Sequence, residues 1–382
     1  MNSGPVGAPT MTDSAASPAP SDTAGTSDSP VALDITGSKD RSAAAGGPVT
    51  LDTTCGEVRS AAADSQAAGT SDSLALDYSA PIRAIDELLG ISQSEVRQLR
   101  PLTAGMTNTS FTFQAGQQVY VVRLPGVGTE QLIDREAERQ IYLALADTGI
   151  TDELLAMDNT GRRVAVFYSD ARQADPLDDS DLAASMRIVR NVHQMELPLE
   201  RRFNIDGMIT QYEELCSTVA PISYPGIAES RQRVAELQRF RDVLAVPEVY
   251  CHGDSAPTNV LILGNGDVKL IDWEYSGRSD PIMDVAMYGI FSYFDQVRLD
   301  LSLQLYLDRE PTANETARLY LYAALSGFLW SLWAHYKEQM GQDFGSYGLD
   351  QYSYLPRYYS QLASGDLMAR AAQTAGNAGA AN

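Results

Sequence analysis

Asp254, Asn259 and Asp272 are the side chains of this sequence whose types and spacing best suit a chemical reaction. Asp254 and Asn259 share a loop that opens with His252-Gly253, and Asp272 follows a short hairpin. Phosphoryl transfer needs an acid that takes or orients the attacking hydroxyl, and oxygen ligands that hold magnesium against the phosphates. We therefore predict Asp254 as catalytic base and Asn259 and Asp272 as metal ligands. The alternative is an ordinary hairpin with polar loop residues.

Two short apolar runs and a turn must position these groups. Val260 to Leu263 and Val268 to Ile271 are predicted strands, and Gly264 to Asp267 is the tight turn between them. The second strand delivers Asp272 to the end of the loop that carries Asp254. The hairpin therefore predicts that the two acids and the amide converge on one point.

This loop and hairpin resemble the catalytic motifs of the aminoglycoside phosphotransferase and choline kinase superfamily, distant relatives of protein kinases. The matching residues are His252-Gly253-Asp254, Asn259, Ile271-Asp272-Trp273-Glu274, Asp280-Pro281 and Asp284. The resemblance implies an α+β, two-lobed, protein-kinase-like fold with a small antiparallel-sheet N-lobe and a mainly helical C-lobe. It also implies ATP and Mg2+ as cofactors, and His252 and Asp284 as structural supports of the catalytic loop.

Arg123 lies near the end of the otherwise apolar run Val119 to Leu124, where protein kinases place a phosphate-binding lysine. An arginine can bind phosphate through its bidentate fork. Asp134 to Ala146 has helical spacing, and we predict Glu138 within it as the partner of Arg123. An exposed edge arginine and a solvated helix glutamate are the alternatives.

A loop of small and hydroxyl residues, Thr103 to Ser110, precedes a predicted hairpin of Phe111 to Gln114 and Val119 to Leu124. Backbone N–H groups in such a loop can face phosphates. The predicted nucleotide contacts are Gly105, Thr107, Asn108 and Ser110. A plain turn is the alternative.

The N-terminal part of the predicted fold is similar to the bacterial choline kinases that prepare phosphocholine for surface polysaccharides. The matching segments are Gly105 to Asn108, Val122 to Gly126, Gly128 to Glu130, Ile133 to Arg135 and, after them, Glu138. This resemblance implies that the substrate is choline or a related amino alcohol.

Trp330 and Trp333 lie three residues apart in Thr316 to Met340, a stretch that predicts a long helix, so both indoles share one face. Electron-rich ring faces attract a quaternary ammonium by cation–π contact. Ordinary core packing is the alternative. The pair also matches the choline-pocket helix of the choline kinase family.

The same resemblance suggests the remaining walls of the pocket. Tyr293 and Tyr347 are expected as further aromatic walls. Eukaryotic choline kinases carry a Glu at the position that we align with Phe291, which leaves the counter-charge of the pocket unassigned. Glu274 is the candidate for that counter-charge.

Composition divides the chain into unequal parts. Residues 1–77 contain no aromatic side chain, a composition that cannot bury enough apolar surface to fold. We predict a disordered low-complexity tail (1–77), a nucleotide-binding N-lobe (78–168), a catalytic and substrate-binding C-lobe (169–366) and a flexible C-terminal tail (367–382). Ile82 to Leu89, ended by Gly90, predicts the first helix, and Ser92 with Glu95 has the spacing of a capping box for another.

The net charge of −22 limits the partners. Ten acids and three bases in residues 1–78 account for −7, so −15 lies on the remainder. Such a surface repels nucleic acid and anionic lipid, so we expect neither as a partner. A cationic substrate is compatible with it.

Cys55, Cys216 and Cys251 are far apart and form no C-x-x-C pair, which indicates neither a disulfide framework nor a zinc site. The N-terminus has no basic segment followed by an apolar core, so we expect no signal peptide. Leu321 to Ala334 is too short and too interrupted to span a bilayer. We expect a cytoplasmic protein without membrane insertion.

Together these patterns predict an ATP-dependent kinase that phosphorylates the hydroxyl of choline to give phosphocholine. The nearest alternative is the same transfer to ethanolamine, an aminoglycoside or another amino alcohol. A non-catalytic nucleotide-binding scaffold is the alternative from another class. The intact set of Asp254, Asn259 and Asp272 argues against it.

Overall fold

The computed structural model of the chain describes residues 31–32, 77–102, 108–126, 129 and 132–379. The predicted two-lobed fold is confirmed, with one antiparallel sheet in the small lobe and a mainly helical large lobe. The strands of the small-lobe sheet are β1 (Val31–Ala32), β2 (Arg97–Leu102), β3 (Thr109–Ala115), β4 (Gln118–Leu124), β5 (Leu154–Met157) and β6 (Arg163–Val166). In space they are ordered β1-β5-β6-β4-β3-β2, and each neighbouring pair is antiparallel.

Alternation of side chains along the central strands builds the core of the small lobe. Phe111 and Phe113 of β3 point to the same face and are buried, together with Val122 of β4. Helix α1 (Ser79–Leu89) packs Ile85 against them and ends at Gly90, whose φ of 66° is a left-handed cap. The predicted first helix is therefore present.

The helix expected from the Ser92 and Glu95 spacing is not formed, so that prediction is wrong. The Ser92 amide does donate to the Glu95 carboxylate at 3.0 Å, but the contact closes only a turn. The chain then enters β2 at Arg97, because pairing with β3 satisfies the backbone groups that a helix would have satisfied internally.

Helix α2 (Arg135–Ala144) begins where its N-cap residue, Asp134, accepts the Ala137 amide at 3.0 Å. Ile141 and Tyr142 are fully buried in the main core. Glu138 lies on the buried side as well and is completely enclosed. The helix predicted over this stretch therefore presents a buried carboxylate to the strand that carries Arg123.

The large lobe is built around one buried helix. Helix α8 (Ala313–Gln339) begins with a complete capping box between Thr312 and Glu315. Gly327 lets α8 approach its neighbour closely, since a Cβ there would lie 2.6 Å from the Gln351 carbonyl oxygen. The surrounding helices are α3 (Asp179–His193), α4 (Ile205–Val219), α5 (Ile227–Val243), α6 (Ile282–Phe291), α7 (Gln296–Leu307), α9 (Tyr347–Ala363) and α10 (Leu367–Gly379).

Two small sheets of the large lobe hold the predicted catalytic segment. β9 (Val260–Ile262) pairs with β10 (Val268–Leu270) as the expected hairpin, and β7 (Arg172–Gln173) extends it. β8 (Val249–Cys251) pairs with β11 (Gly277–Ser279). The loop after β8 and the segment after β10 therefore start from strands of known register.

The domain boundaries proposed from composition stay a prediction. Within the predicted N-terminal tail the structure describes Val31–Ala32, as a strand paired with β5, and residue 77. Among the helices that the structure describes, none is long and apolar enough to cross a membrane.

Candidate active site

The catalytic loop begins at the end of β8 and turns on Gly253. This glycine has φ of 77°, and a Cβ on it would lie 2.5 Å from the Tyr275 carbonyl oxygen. Only glycine tolerates that approach without a shift of the backbone. Asn259 donates its Nδ2 to the Asp254 carbonyl oxygen at 2.8 Å and to its carboxylate at 3.2 Å. The predicted base and amide are therefore neighbours.

Asp272 reaches the same region from the hairpin. Its φ of 69° is unusual for a residue with a side chain, and such conformations cluster at functional sites. Arg123 donates Nη1 to its carboxylate at 2.6 Å. The structure thus brings Asp272 to the buried arginine.

Asp254 carries an unusual carboxyl group. Burial, followed by the negative charges of Asp272 and Glu274, raises its pKa to about 8. Carboxylate and amide oxygens are the ligands that Mg2+ prefers. Asn259 and Asp272 fit such an ion, since a cation near their side-chain oxygens would relieve the repulsion between the carboxylates of Asp254 and Asp272.

Five side chains, here called the charged cluster, join the small lobe to the segment after the hairpin. They are Arg123, Arg135, Glu138, Asp272 and Glu274. Arg123 binds the buried carboxylate of Glu138 through Nη2, and Arg135 binds the other oxygen of that carboxylate at 2.7 Å. The predicted pair of Arg123 and Glu138 is present, within a larger network.

Glu274, which was predicted as the counter-charge of the aromatic pocket, belongs to this charged cluster. Its Oε2 accepts from Arg135 at 2.9 Å and from Asn108 Nδ2 at 3.3 Å. Asn108 in turn accepts the Gly126 amide at 3.3 Å, so it ties the loop to the end of β4. The side-chain hydrogen bonds of the Glu274 carboxylate therefore go to residues of the small lobe.

The other predicted nucleotide contacts divide into two groups. Ser110 stands opposite Arg123 in the β3–β4 register, at the strand ends nearest the charged cluster. Gly105 and Thr107 lie outside the described residues.

His252 and Asp284 hold the catalytic loop from behind. Asp284 accepts the backbone amides of His252 at 2.6 Å and Gly253 at 2.9 Å. The His252 ring lies between the Ile271 carbonyl oxygen, 2.9 Å from Nε2, and the Asp254 amide, 3.2 Å from Nδ1. Burial lowers the pKa of His252, which favours a neutral ring that donates from Nε2.

Six rings, here called the aromatic cluster, surround the two tryptophans of α8. They are Tyr275, Phe291, Trp330, Trp333, Phe344 and Tyr347. Trp330 and Trp333 meet edge to face at 6.1 Å, and the indole N–H of each is buried without a hydrogen-bond partner. Tyr347 packs edge-on against Trp333 at 6.2 Å.

The aromatic cluster lies next to the catalytic loop. The negative charge of Asp254 acts on the hydroxyls of both Tyr275 and Tyr347, whose pKa values are raised first by burial and then by neighbouring charges. Tyr293 is 46% exposed, has φ of 55° and lies close enough to Tyr347 to act on its hydroxyl. Tyr347 belongs to the aromatic cluster, and the role of both tyrosines as pocket walls stays a prediction.

Sequence reasoning missed several residues that the structure brings to the site. Arg135 ends a matched segment and Tyr275 directly follows one, yet the sequence assigned a role to neither. Phe291 was noted only as a departure, but its ring packs 5.6 Å from Trp330. His193, at the end of α3, lies with its Nε2 2.9 Å from the Asp284 carboxylate.

The two lobes and the groups around Asp254 place the chain in the class of small-molecule phosphotransferases with a kinase-like fold. The family model for choline/ethanolamine kinase matches residues 99–297, and the chain belongs to this family. It is therefore a phosphotransferase that acts on an alcohol group.

Individual relatives agree with this assignment. Protein LicA of Haemophilus influenzae is 25% identical over 259 residues, which cover 64% of this chain and 75% of the relative. Ethanolamine kinase 1 of Mus musculus is 25% identical over 285 residues, covering 62% of this chain and 76% of that protein. The crystal structure of the choline kinase LicA from Streptococcus pneumoniae superposes with a TM-score of 0.65 at 29% identity, covering 74% of this chain and 98% of that one. A LicA structure in complex with AMP matches with the same TM-score at 28% identity and covers 74% of this chain and 97% of that one.

Proposed function

We propose that the protein transfers the γ-phosphate of ATP to the hydroxyl of choline, with Mg2+, and releases phosphocholine. The observation that carries this proposal is the aromatic cluster beside Asp254. Its rings offer apolar, electron-rich faces, which attract a quaternary ammonium by about 2 kcal/mol or more per ring when water is excluded. A trimethylammonium group held there leaves the hydroxyl end of choline free to reach the catalytic loop.

The hydrogen-bonding needs of the two amino alcohols support choline over ethanolamine. A quaternary ammonium has no N–H group, whereas the primary ammonium of ethanolamine has three donors that require acceptors when buried. The acids that act on Tyr275 are Glu274 and Asp254. Glu274 already accepts from Arg135, and Asp254 is the proposed catalytic base, so neither carboxylate is available to accept from an ammonium group. Phe291 packs its ring against Trp330 and offers no acceptor for an ammonium N–H group.

Each polar residue has a role in the proposed transfer. Asp254 orients the acceptor hydroxyl and takes its proton as the phosphoryl group moves in line. Asn259 and Asp272 would hold Mg2+, which neutralises charge on the phosphates when bound. Arg123 places a permanent positive charge at the nucleotide side, and Glu138 fixes the direction of its guanidinium. Asn108 and Ser110, near Arg123 and Glu274, are the proposed nucleotide contacts.

The test is turnover of ATP with magnesium and one acceptor at a time: choline, ethanolamine, kanamycin or none. We expect a preference for choline of at least about tenfold in kcat/KM. Phe291→Glu should shift the preference toward ethanolamine, and Phe291→Leu is the matched control that removes the ring without adding charge. A wild-type preference for ethanolamine or kanamycin would refute the choice of substrate while keeping the reaction.

Ethanolamine is the second candidate, because ethanolamine kinases are among the relatives. Under that alternative the primary ammonium must find its acceptors at Asp254 and at tyrosine hydroxyls. Phe291→Glu would then improve the KM for ethanolamine only slightly, since the acceptors would already be supplied. The size of that improvement separates the two candidates.

A further inference from the structure

A buried chain of polar groups lies beneath the catalytic loop. His193, at the end of α3, places Nε2 2.9 Å from the Asp284 carboxylate and Nδ1 2.9 Å from the Tyr306 hydroxyl. Tyr306 belongs to α7, far from every catalytic motif in the sequence. All three side chains are buried, so water does not compete for these bonds.

The direction of the hydrogen bond between His193 and Asp284 follows from the ionisation of the carboxyl group. Burial alone would raise the pKa of Asp284, but the hydrogen bond and charge of His193 outweigh it and hold that pKa below its usual value. An ionised carboxylate only accepts, so the Nε2–H of His193 donates to it. Nδ1 shares a hydrogen bond of 2.9 Å with the Tyr306 hydroxyl. Burial raises the pKa of Tyr306, so its hydroxyl keeps its proton.

We propose that Tyr306 and His193 are positioning residues for the phosphoryl transfer. Tyr306 fixes the ring orientation of His193, and His193 holds Asp284. Asp284 then fixes the backbone amides of His252 and Gly253, from which Asp254 extends. The relay therefore connects α7 to the catalytic base, and it rests on the proposed function of Asp254.

A metal ion is the competing explanation for this corner, since the ligand atoms of His193, Cys251 and Asp284 lie within 4.8 Å of one another. Metal binding needs a thiolate. Burial, with the charge of Asp284, raises the pKa of Cys251 well above its usual value, so the sulfur stays a thiol. Both Asp284 oxygens are already occupied by N–H donors. The hydrogen-bonded relay accounts for the cluster without an ion.

Tyr306→Phe tests the relay by removing one oxygen atom, and Tyr288→Phe is its matched control. Tyr288 is a fully buried tyrosine of α6, and its hydroxyl bonds Ser185 of α3 at 3.1 Å. Both variants lose one buried hydrogen bond between helices, but only Tyr306 touches the relay. We expect kcat to fall between about twofold and tenfold in Tyr306→Phe, with KM for choline and for ATP nearly unchanged. Tyr288→Phe should keep the wild-type kcat.

A second pair of variants tests the central member of the relay. His193→Gln keeps an N–H donor near the position of Nε2, and His193→Met keeps a similar volume without one. We expect His193→Met to lose about 10- to 100-fold in kcat and His193→Gln to recover most of that loss. Melting temperatures of all four variants show whether a loss follows unfolding instead.

Two failures are distinguishable. If the wild-type protein turns over none of the acceptors, the proposed function is refuted. If the wild-type protein is active but the two tyrosine variants have equal kcat, the relay is refuted. Equal kcat for the Gln and Met variants of His193, or a loss confined to KM, would likewise overturn it.

Discussion

The charged cluster and the aromatic cluster meet at two consecutive residues, Glu274 and Tyr275, yet they are built on opposite principles. Glu274 turns toward Arg135 in the small lobe, and Tyr275 packs its ring edge-on at 5.2 Å from Trp330 in the large lobe. The charged cluster consists of ionised side chains in a poorly hydrated space. The aromatic cluster consists of neutral rings that present their faces.

This contrast predicts different tolerance to mutation. Buried charges are costly unless each has its partner, so removal of one member leaves the others uncompensated. Each ring of the aromatic cluster adds its own share of contact, and loss of one leaves the others in place. One substitution in the charged cluster should therefore destabilise the whole cluster. One substitution in the aromatic cluster should remove only the contact of that ring.

The largest effect is expected at Asp254, in the catalytic loop beside both clusters. Asp254→Asn keeps the shape of the side chain and removes the base, so kcat should fall by about 10²- to 10⁴-fold. Asp267→Asn, at an exposed acid in the same hairpin, is the control and should keep its kcat. A steady-state assay with choline checks both, and near-normal turnover of Asp254→Asn would exclude Asp254 as the base.

The next effect is loss of stability in the charged cluster. Arg123→Met leaves Glu138 and Asp272 without their shared partner and should lower the free energy of unfolding by about 3–5 kcal/mol. Arg162→Met removes a more exposed arginine, paired with Glu87 at 2.5 Å, and should cost less than about 1 kcal/mol. Urea denaturation measures both. Equal costs would show that burial of the cluster contributes little.

A smaller effect is expected in the aromatic cluster. Trp330→Leu removes a ring face but keeps an apolar side chain, so KM for choline should rise about tenfold while KM for ATP stays constant. Phe328→Leu, at a fully buried ring of the same helix that contacts Tyr352, is the control. An equal rise of KM for choline and KM for ATP in Trp330→Leu would indicate that the packing of α8 is disturbed, and not that a binding face is lost.

The smallest effect concerns pH in the metal-free protein. Asp254 has a pKa of about 8 in the folded state against an ordinary value of 3.8, so between these two pH values the folded state binds more protons than the unfolded state. Stability should therefore fall as the pH rises from 4 to 8. Asp254→Asn removes this term and should melt a few degrees higher than wild type at pH 8 in EDTA, but not at pH 4. A gap that is the same at both pH values would contradict the assigned cause.

How much of the site could be predicted depended on sequence distance. Asp254, Asn259 and Asp272 lie within 19 residues, and a local hairpin brings them together, so their spacing was sufficient. Trp330 and Trp333 follow from helical spacing for the same reason. The Ser92 and Glu95 pattern shows the limit, because the same local contact fits a turn and a helix, and the pairing of β2 with β3 decided between them.

The direction of a side chain between two lobes could not be predicted. Glu274 and Tyr275 are adjacent in the sequence, and which of them serves which cluster depends on Arg135 and Trp330, which are 139 and 55 residues away from them. The relay from Tyr306 through His193 to Asp284 joins three helices and has no local pattern.

The sequence by itself determined the class of reaction, because the catalytic loop, the hairpin and the tryptophan pair are short-range patterns whose chemistry requires those residue types. Only the tertiary structure decided how the charges and the rings divide between the two lobes. Partners that are distant along the chain are selected by packing of the whole core, and buried charges take whichever partners that packing supplies.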